Sequence, residues 1–443
     1  MWEALRYRDF RLSLGGLVLS SLGDWLLVIA APYFVWHLTG SALATGLTVV
    51  AETLPAVLVG PLAGVLVDRW SPRLVMIGAD ILRAGAVALL LTVRSADLVW
   101  LIYLVLALEC AIGQFFVPAR QKLVPALVGR GSALVSANSL GALARGVVRL
   151  VGAPLGGALY VLVGFGWMVA IDVATYLVSA VLIAGIRTPD PARPPRAEGA
   201  VLGRFRAELA AGWRHVRRTA GLPAVFGAAG AFFLGNAVLT ALLVPYTSGV
   251  LGADSRTLGL LLGALGLGFV VGAPLSRRIV GRYPLRWSLA VSFGVLGVVF
   301  LAAFNAPGVL AAGVLFALFG PPAVCAFVEI DTHLQRCTSD EVLGRVSALY
   351  LTLQSGAGLL GALGGATLGE VLGVQATVDL GAGIVFVGAA LALLIPARPA
   401  STGGVPGDPA PVSGAPGPPS RAVPGESGPA GAPVVSRRGS DAP

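Results

Sequence analysis

A single lysine, Lys122, stands among the 31 basic residues of this sequence. A phosphate-binding loop needs Gly-Lys followed by Ser or Thr, because the lysine reaches the terminal phosphates and the hydroxyl holds magnesium. Lys122 lies between Gln121 and Leu123, so the chain cannot be its own ATPase. Charge of either sign is scarce, at 12% of the 443 residues, where soluble domains carry about 25%. Three cysteines, Cys110, Cys325 and Cys337, are too few and too scattered for a disulfide framework. The three histidines, His37, His215 and His333, are far apart and form no metal constellation. None lies in the middle of an apolar run beside a candidate serine, which argues against an intramembrane hydrolase. No enzymatic activity, metal or cofactor is expected.

What remains is apolar: 56% hydrophobic residues and a mean hydropathy of +0.84. A helix needs roughly 20 mostly apolar residues to cross a bilayer. Twelve such windows run over 13–36, 42–66, 74–93, 98–118, 134–162, 166–186, 222–249, 257–276, 286–304, 308–332, 343–372 and 376–396. Lipid offers no partner for backbone N–H and C=O, so each segment is expected to be helical. The prediction is an all-α polytopic membrane protein with 12 transmembrane helices. Arg6, Arg8 and Arg11 lead into a run of full spanning length with no small-residue cleavage site, so no cleaved signal peptide is expected.

The net charge of +9 sits in clusters between apolar runs, pointing to a lipid surface rather than nucleic acid. On the side of the N-terminus there are 26 basic residues, against Arg94 and Arg256 in the opposite loops. That asymmetry predicts cytoplasmic termini. Arginine-heavy, alanine- and glycine-rich usage suits a GC-rich bacterial genome, hence a bacterial plasma membrane.

The longest internal loop, 187–221, divides the spans six and six, giving bundles over 1–186 and 222–396. Leu202, Phe205, Leu209, Trp213 and Val216 with arginines between them predict an amphipathic cytoplasmic helix. The Pro-, Gly- and Ser-rich tail, 397–443, is expected to be disordered. The halves repeat. Arg69-Trp70-Ser71-Pro72-Arg73 returns as Arg282-Tyr283-Pro284-Leu285-Arg286, displaced by 213 positions, and Ser132-Ala133-Leu134 as Ser347-Ala348-Leu349, displaced by 215. Repeats in chain order at near-constant offset predict two pseudo-symmetric six-helix bundles around a central cavity.

Certain residues resemble a known family. Gly64, Asp68, Arg69 and Arg73 fall as in the Gly-x-x-x-Asp-Arg-x-x-Arg-Arg loop of the major facilitator superfamily, with Pro72 where glycine or arginine is common. Gly152-x-Pro154-x-Gly156-Gly157 is similar to that superfamily's antiporter motif. Phe116-x-Pro-Ala-Arg120, Asn138-Ser139, Asp172 and Gln335 with Gly344-Arg345 resemble the drug:proton antiporter branch containing macrolide efflux proteins and the enterobactin exporter. The resemblance implies the major facilitator fold and export of amphiphilic small molecules, of drug, antibiotic or siderophore class, by proton antiport with alternating access. Uptake by a symporter or uniporter is the alternative within transport, and a non-transporting receptor or scaffold the alternative outside it. A small-molecule substrate, protons and the bilayer are the expected partners. A two-bundle transporter needs no second copy, so a monomer is expected.

An ionisable group inside a membrane needs a reason. Asp24, Glu52, Asp80, Glu109 and Asp172, with Arg83, Arg145 and Arg149, lie within spans of the first half. Asp24, Glu52 and Glu109 are candidates for proton binding. Arg145 and Arg149, four apart on one helix face, either hold Glu109 or Asp24 in a salt bridge or bind an anionic substrate. Asp80 and Arg83 are expected to join Asp68 and Arg73 in a cytoplasmic gating cluster. Trp25, Phe115, Phe116, Phe233, Asn236 and Gln354 are candidates to line the substrate cavity. Gly356-Ala-Gly358-Leu-Leu-Gly361 matches a dinucleotide fingerprint only formally, because it lies in a span and follows no strand.

Overall fold

Apolar runs of spanning length are helical in the computed structural model, which describes residues 3–67, 70–129, 131–189, 201–279, 282–338 and 340–396. The helices are α1 (Arg8–Thr39), α2 (Ala42–Val67), α3 (Pro72–Ala88), α4 (Val99–Val128), α5 (Ser132–Ala184) and α6 (Val201–Arg218). They continue as α7 (Leu222–Pro245), α8 (Ser255–Ile279), α9 (Leu285–Phe304), α10 (Val309–Cys337), α11 (Asp340–Val371) and α12 (Val374–Ala392). There is no strand among the described residues. Boundaries follow local chemistry. The hydroxyl of Ser71 accepts from Leu74 N–H at 3.2 Å and Pro72 opens α3, a position where its missing N–H costs nothing. Gly40 closes α1 in the left-handed region at φ 62°, donating to the Trp36 carbonyl at 2.8 Å.

Among the described residues, eleven helices are long and apolar enough to cross a membrane, against twelve sequence windows. The difference lies in α5. Its 53 residues exceed any single crossing, and Gly164, at φ 77° and ψ 174°, bends the chain between the fifth and sixth windows. Only glycine takes that φ without steric cost, so the two crossings join with almost no loop.

The N-terminal helices pack as α1 on α5, α2 on α4, and α3 on α4 and α5. The C-terminal ones repeat the scheme as α7 on α11, α8 on α10, and α9 on α10 and α12. Contacts between the halves are dominated by α5 with α8 and α2 with α11, which exchange when the halves are swapped. This is the all-α, polytopic two-bundle architecture that the sequence repeats predicted. Leu74, Val181 and Leu310 are 67%, 70% and 85% exposed on its outside, an apolar surface suited to lipid and not to water.

Four hydrogen bonds join the halves among the described residues, all at the helix ends away from the N-terminus. Tyr33 donates to the Ala253 carbonyl (3.1 Å) and Ser255 to the Gly157 carbonyl (3.0 Å). Glu370 Oε2 accepts from the Ser41 hydroxyl (3.0 Å) and from Leu43 N–H (3.1 Å). At about 1 kcal/mol net apiece, such a closure is of the size a reversible two-state switch needs. At the opposite end α6 runs along α11, where Gly212 leaves a Cβ only 2.8 Å from the Arg345 carbonyl. Val216 of α6 is buried, whereas Trp213 is half exposed. The expected apolar positions Leu202, Phe205 and Leu209 are placed only as part of α6, and the proline-rich part of the linker at 190–200 and the tail at 397–443 lie outside what is described.

Candidate functional site

Inside the N-terminal bundle, carboxylates from four crossings meet around one tyrosine and one arginine. Helical spacing puts Asp172, Tyr176 and Ser179 on one face of α5 and Asp80 and Arg83 on one face of α3. The Tyr176 hydroxyl oxygen lies 2.5 Å from Asp24 Oδ1 and 2.7 Å from Glu109 Oε1. Arg83 Nη2 donates to Asp80 Oδ1 at 2.6 Å, and Nη1 is 3.7 Å from Asp24 Oδ1. Its guanidinium carbon sits 4.4 Å from the Tyr176 ring centroid and 5.3 Å from that of Phe116. The Ser179 hydroxyl donates to Asp80 Oδ2 at 2.6 Å. Asp80 and Asp172 are fully buried, and one oxygen each of Asp172 and Glu52 is buried without a partner. Gly23 allows this convergence: a Cβ there would collide with the Asp172 carboxylate and the Thr175 hydroxyl.

Two cavities adjoin the cluster. The smaller, about 340 Å³, is lined by Asp24, Glu52, Arg83, Glu109 and Arg145. The larger, about 480 Å³, lies between the halves and is lined by Trp25, Glu52, Arg149, Asn236, Gln354 and eight phenylalanines. Glu52 and Val28 line both. Ionisable groups thus come from the first half and the aromatic wall from the second, with Glu52 where they meet.

Several expectations are redirected. Arg83 does not join Arg73 in a gating cluster: it turns inward to Asp24, while Arg73 donates to the Ala184 carbonyl. Asp68 and Arg69 lie outside the described residues, and Gly64 is placed only as part of α2. Neither Arg145 nor Arg149 pairs with Glu109 or Asp24, because Arg83 reaches Asp24 from α3. Arg145 lines the smaller cavity, and the Arg149 guanidinium carbon lies 5.9 Å from the Trp25 ring and 5.6 Å from the Phe269 ring. Trp25, Phe233, Asn236 and Gln354 line the larger cavity and Phe116 the smaller, but Phe115 faces Trp70 at 6.4 Å, outside both. The glycine motif makes a two-sided crossing. Gly152 and Gly156 abut Trp25 and Ile29 of α1, while Pro154 and Gly157 abut Gly263, Gly259 and Ser255 of α8.

Sequence reasoning missed Tyr176 and Ser179. Their signal was a polar stripe at i, i+4 and i+7 from Asp172. It also missed the phenylalanines of α8 to α10 and the buried contact of the Ser288 hydroxyl with Glu329 in the second half.

The family model described as transmembrane secretion effector, MFS_3, matches residues 1–428. The chain belongs to the major facilitator superfamily. The multidrug efflux pump Tap of Mycolicibacterium fortuitum is 28% identical over 81% of this chain and 88% of its own length. Macrolide efflux protein A of Streptococcus pyogenes is 26% identical over 42% of this chain and 47% of its own. A crystal structure of the nucleoside transporter NupG, 14% identical, matches 89% of this chain and 99% of its own with a TM-score of 0.69, which shows the shared fold. Family and fold are those of transporters, multi-pass proteins that sit in a bilayer and bind small molecules.

For this major facilitator protein, Tyr176→Phe keeps the ring under Arg83 and deletes both contacts of the hydroxyl. Hydrogen bonds to charged groups contribute about 1.5 to 3 kcal/mol, so the variant should melt at lower temperature than the native protein. Phe116→Leu, which removes the longer ring contact and some buried apolar volume at a core position, should cost less. Thermal unfolding followed by tryptophan fluorescence compares the two, and equal losses would refute the bridging role.

Proposed function

We propose that the protein exports amphiphilic small molecules from the bacterial cytoplasm in exchange for protons, as a plasma-membrane monomer with both termini inside. The efflux relatives support export. One geometric observation supports the proton: the single hydroxyl hydrogen of Tyr176 cannot serve two carboxylates at once. With contacts of 2.5 Å to Asp24 and 2.7 Å to Glu109, the second is a hydrogen bond only when that carboxyl carries a proton. The trio therefore suits one shared proton, and Glu52, lining both cavities, is the group through which proton and substrate compete. The bundles 1–186 and 222–396 are the moving bodies, joined by the linker 187–221, and the four bonds that close one end are those broken when access alternates.

Transport into inverted vesicles tests this with three dansylated alkyl amphiphiles of equal chain length: a sulfonate, a trimethylammonium and a neutral amide. At least one should accumulate when the membrane is energised. A protonophore should abolish that accumulation, and Asp24→Asn should slow it about ten-fold or more. Uptake insensitive to the protonophore would defeat the antiport reading. Movement in the opposite direction would replace export by import.

A further inference from the structure

We infer that the larger cavity takes amphiphiles bearing one negative charge, with Arg149 holding the anionic group and Arg145 and Arg120 forming the approach to it. The inference rests on the transport reading above and adds the substrate class. Of the four arginines among the described residues inside the N-terminal bundle, Arg83 alone has an acidic partner. Arg120 is 9% exposed, with Nε and Nη2 both buried and unpartnered. A Cβ on Gly141 would stand 3.4 and 3.5 Å from the two terminal nitrogens of Arg120 and 3.6 Å from Nη1 of Arg145. Two guanidinium groups thus converge on one spot, and among the described residues neither has a carboxylate within ion-pair distance.

Gly141, Arg145 and Arg149 recur every four residues on one face of α5. The series begins near the C-terminal end of α4, away from the four hydrogen bonds that close the halves, and ends in the larger cavity. Buried cations are costly unless matched, and a file of unmatched ones concentrates anions along it. At its end Arg149 lines the larger cavity, its guanidinium carbon within 6 Å of the Trp25 and Phe269 ring centroids (5.9 and 5.6 Å). Apart from Glu52, Asn236, Thr240 and Gln354, the rest of the wall is aromatic and aliphatic, suited to a bulky apolar body. Glu52, the one carboxylate there, loses its charge whenever it is protonated, whereas arginine stays charged at any working pH. The permanent charge of the cavity is positive.

Binding, measured apart from transport, tests this with protein in phosphatidylcholine nanodiscs and the three dansyl probes. The sulfonate should bind about ten-fold or more tightly than the trimethylammonium of equal length. Arg149→Gln should erase that preference and leave the neutral amide within about two-fold of its native affinity, while Arg149→Lys should retain most of it. A native protein that binds the ammonium as well as the sulfonate, or binds neither, overturns the inference without any variant having to fold. An unaltered preference in Arg149→Gln overturns the role of that residue. Repetition in nanodiscs containing phosphatidylglycerol separates the two sources of anion: displacement of the sulfonate identifies a lipid headgroup, and no displacement a soluble amphiphile. Proton coupling fails or stands on the vesicle fluxes alone, so the two readings are judged separately.

Discussion

Arg83→Met is expected to lower stability by about 3 to 5 kcal/mol, the usual cost of leaving one member of a buried ion pair without its partner. Asp80 is fully buried and holds Arg83 Nη2 at 2.6 Å, so methionine would strand a carboxylate whose one remaining donor is the Ser179 hydroxyl. Asp24 should contribute less, because it is 3.7 Å from Arg83 and its side chain is 35% exposed. The double variant Arg83→Met with Asp80→Asn separates charge from packing. The amide keeps a polar partner for Ser179 and removes the stranded charge, so most of the loss should return. Thermal melting of native, single and double variants in one detergent measures this. A single variant as stable as the native protein would mean that the arginine is not neutralising Asp80, and an unrescued double variant would move the cost to its contacts with Tyr176 and Phe116.

The importance of Arg83 was only half legible in the sequence. Spacing put Asp80 and Arg83 on one helix face, but a hydropathy pattern does not say which face meets which helix. The loop motif drew them toward Arg73, whereas the fold turns Arg83 inward to Asp24. Tyr176 was silent for a related reason: among apolar neighbours a tyrosine reads as a large hydrophobe, and its hydroxyl matters only because α1 and α4 bring carboxylates to it. The helices themselves were legible, since twenty apolar residues in lipid admit one backbone solution. The break between the fifth and sixth windows was legible too, and Gly164 makes it with a one-residue bend inside α5, which is why the helices number one fewer than the windows. Repeats between the halves were visible as short matches at a constant offset, and the packing scheme follows them. The phenylalanine wall was not, because those residues lie on four different helices and have no common spacing. Phe115 shows the converse, an aromatic in a polar neighbourhood of sequence that the helix face directs toward Trp70.

The glycine motif of α5 carries the largest expected effect on conformation. At Gly157 a Cβ would collide with the Ser255 carbonyl and stand 3.0 Å from Gly259 Cα, both backbone atoms of α8. A flexible side chain can rotate away, but backbone cannot, so Gly157→Ala should separate α5 from α8 and weaken the bond from Ser255 to the Gly157 carbonyl. Overpacking typically costs about 1 to 3 kcal/mol. Here the cost falls on the closed state alone, and a bias of that size moves a two-state equilibrium about 5- to 150-fold. Gly146→Ala, in the same helix with open space around the new methyl, is the matched control and should leave the equilibrium unchanged. Spin labels at Leu162 and Val250, both exposed at the closed end, read the outcome in a background with Cys110, Cys325 and Cys337 replaced by serine. The Gly157 variant should show longer distances and slower transport, with dansyl probe binding in the larger cavity retained because Gly157 does not line it. Unchanged distances would mean that α5 and α8 stay together through the cycle, and the moving contact would then have to be sought between α2 and α11, where Glu370 holds the Ser41 hydroxyl and Leu43 N–H.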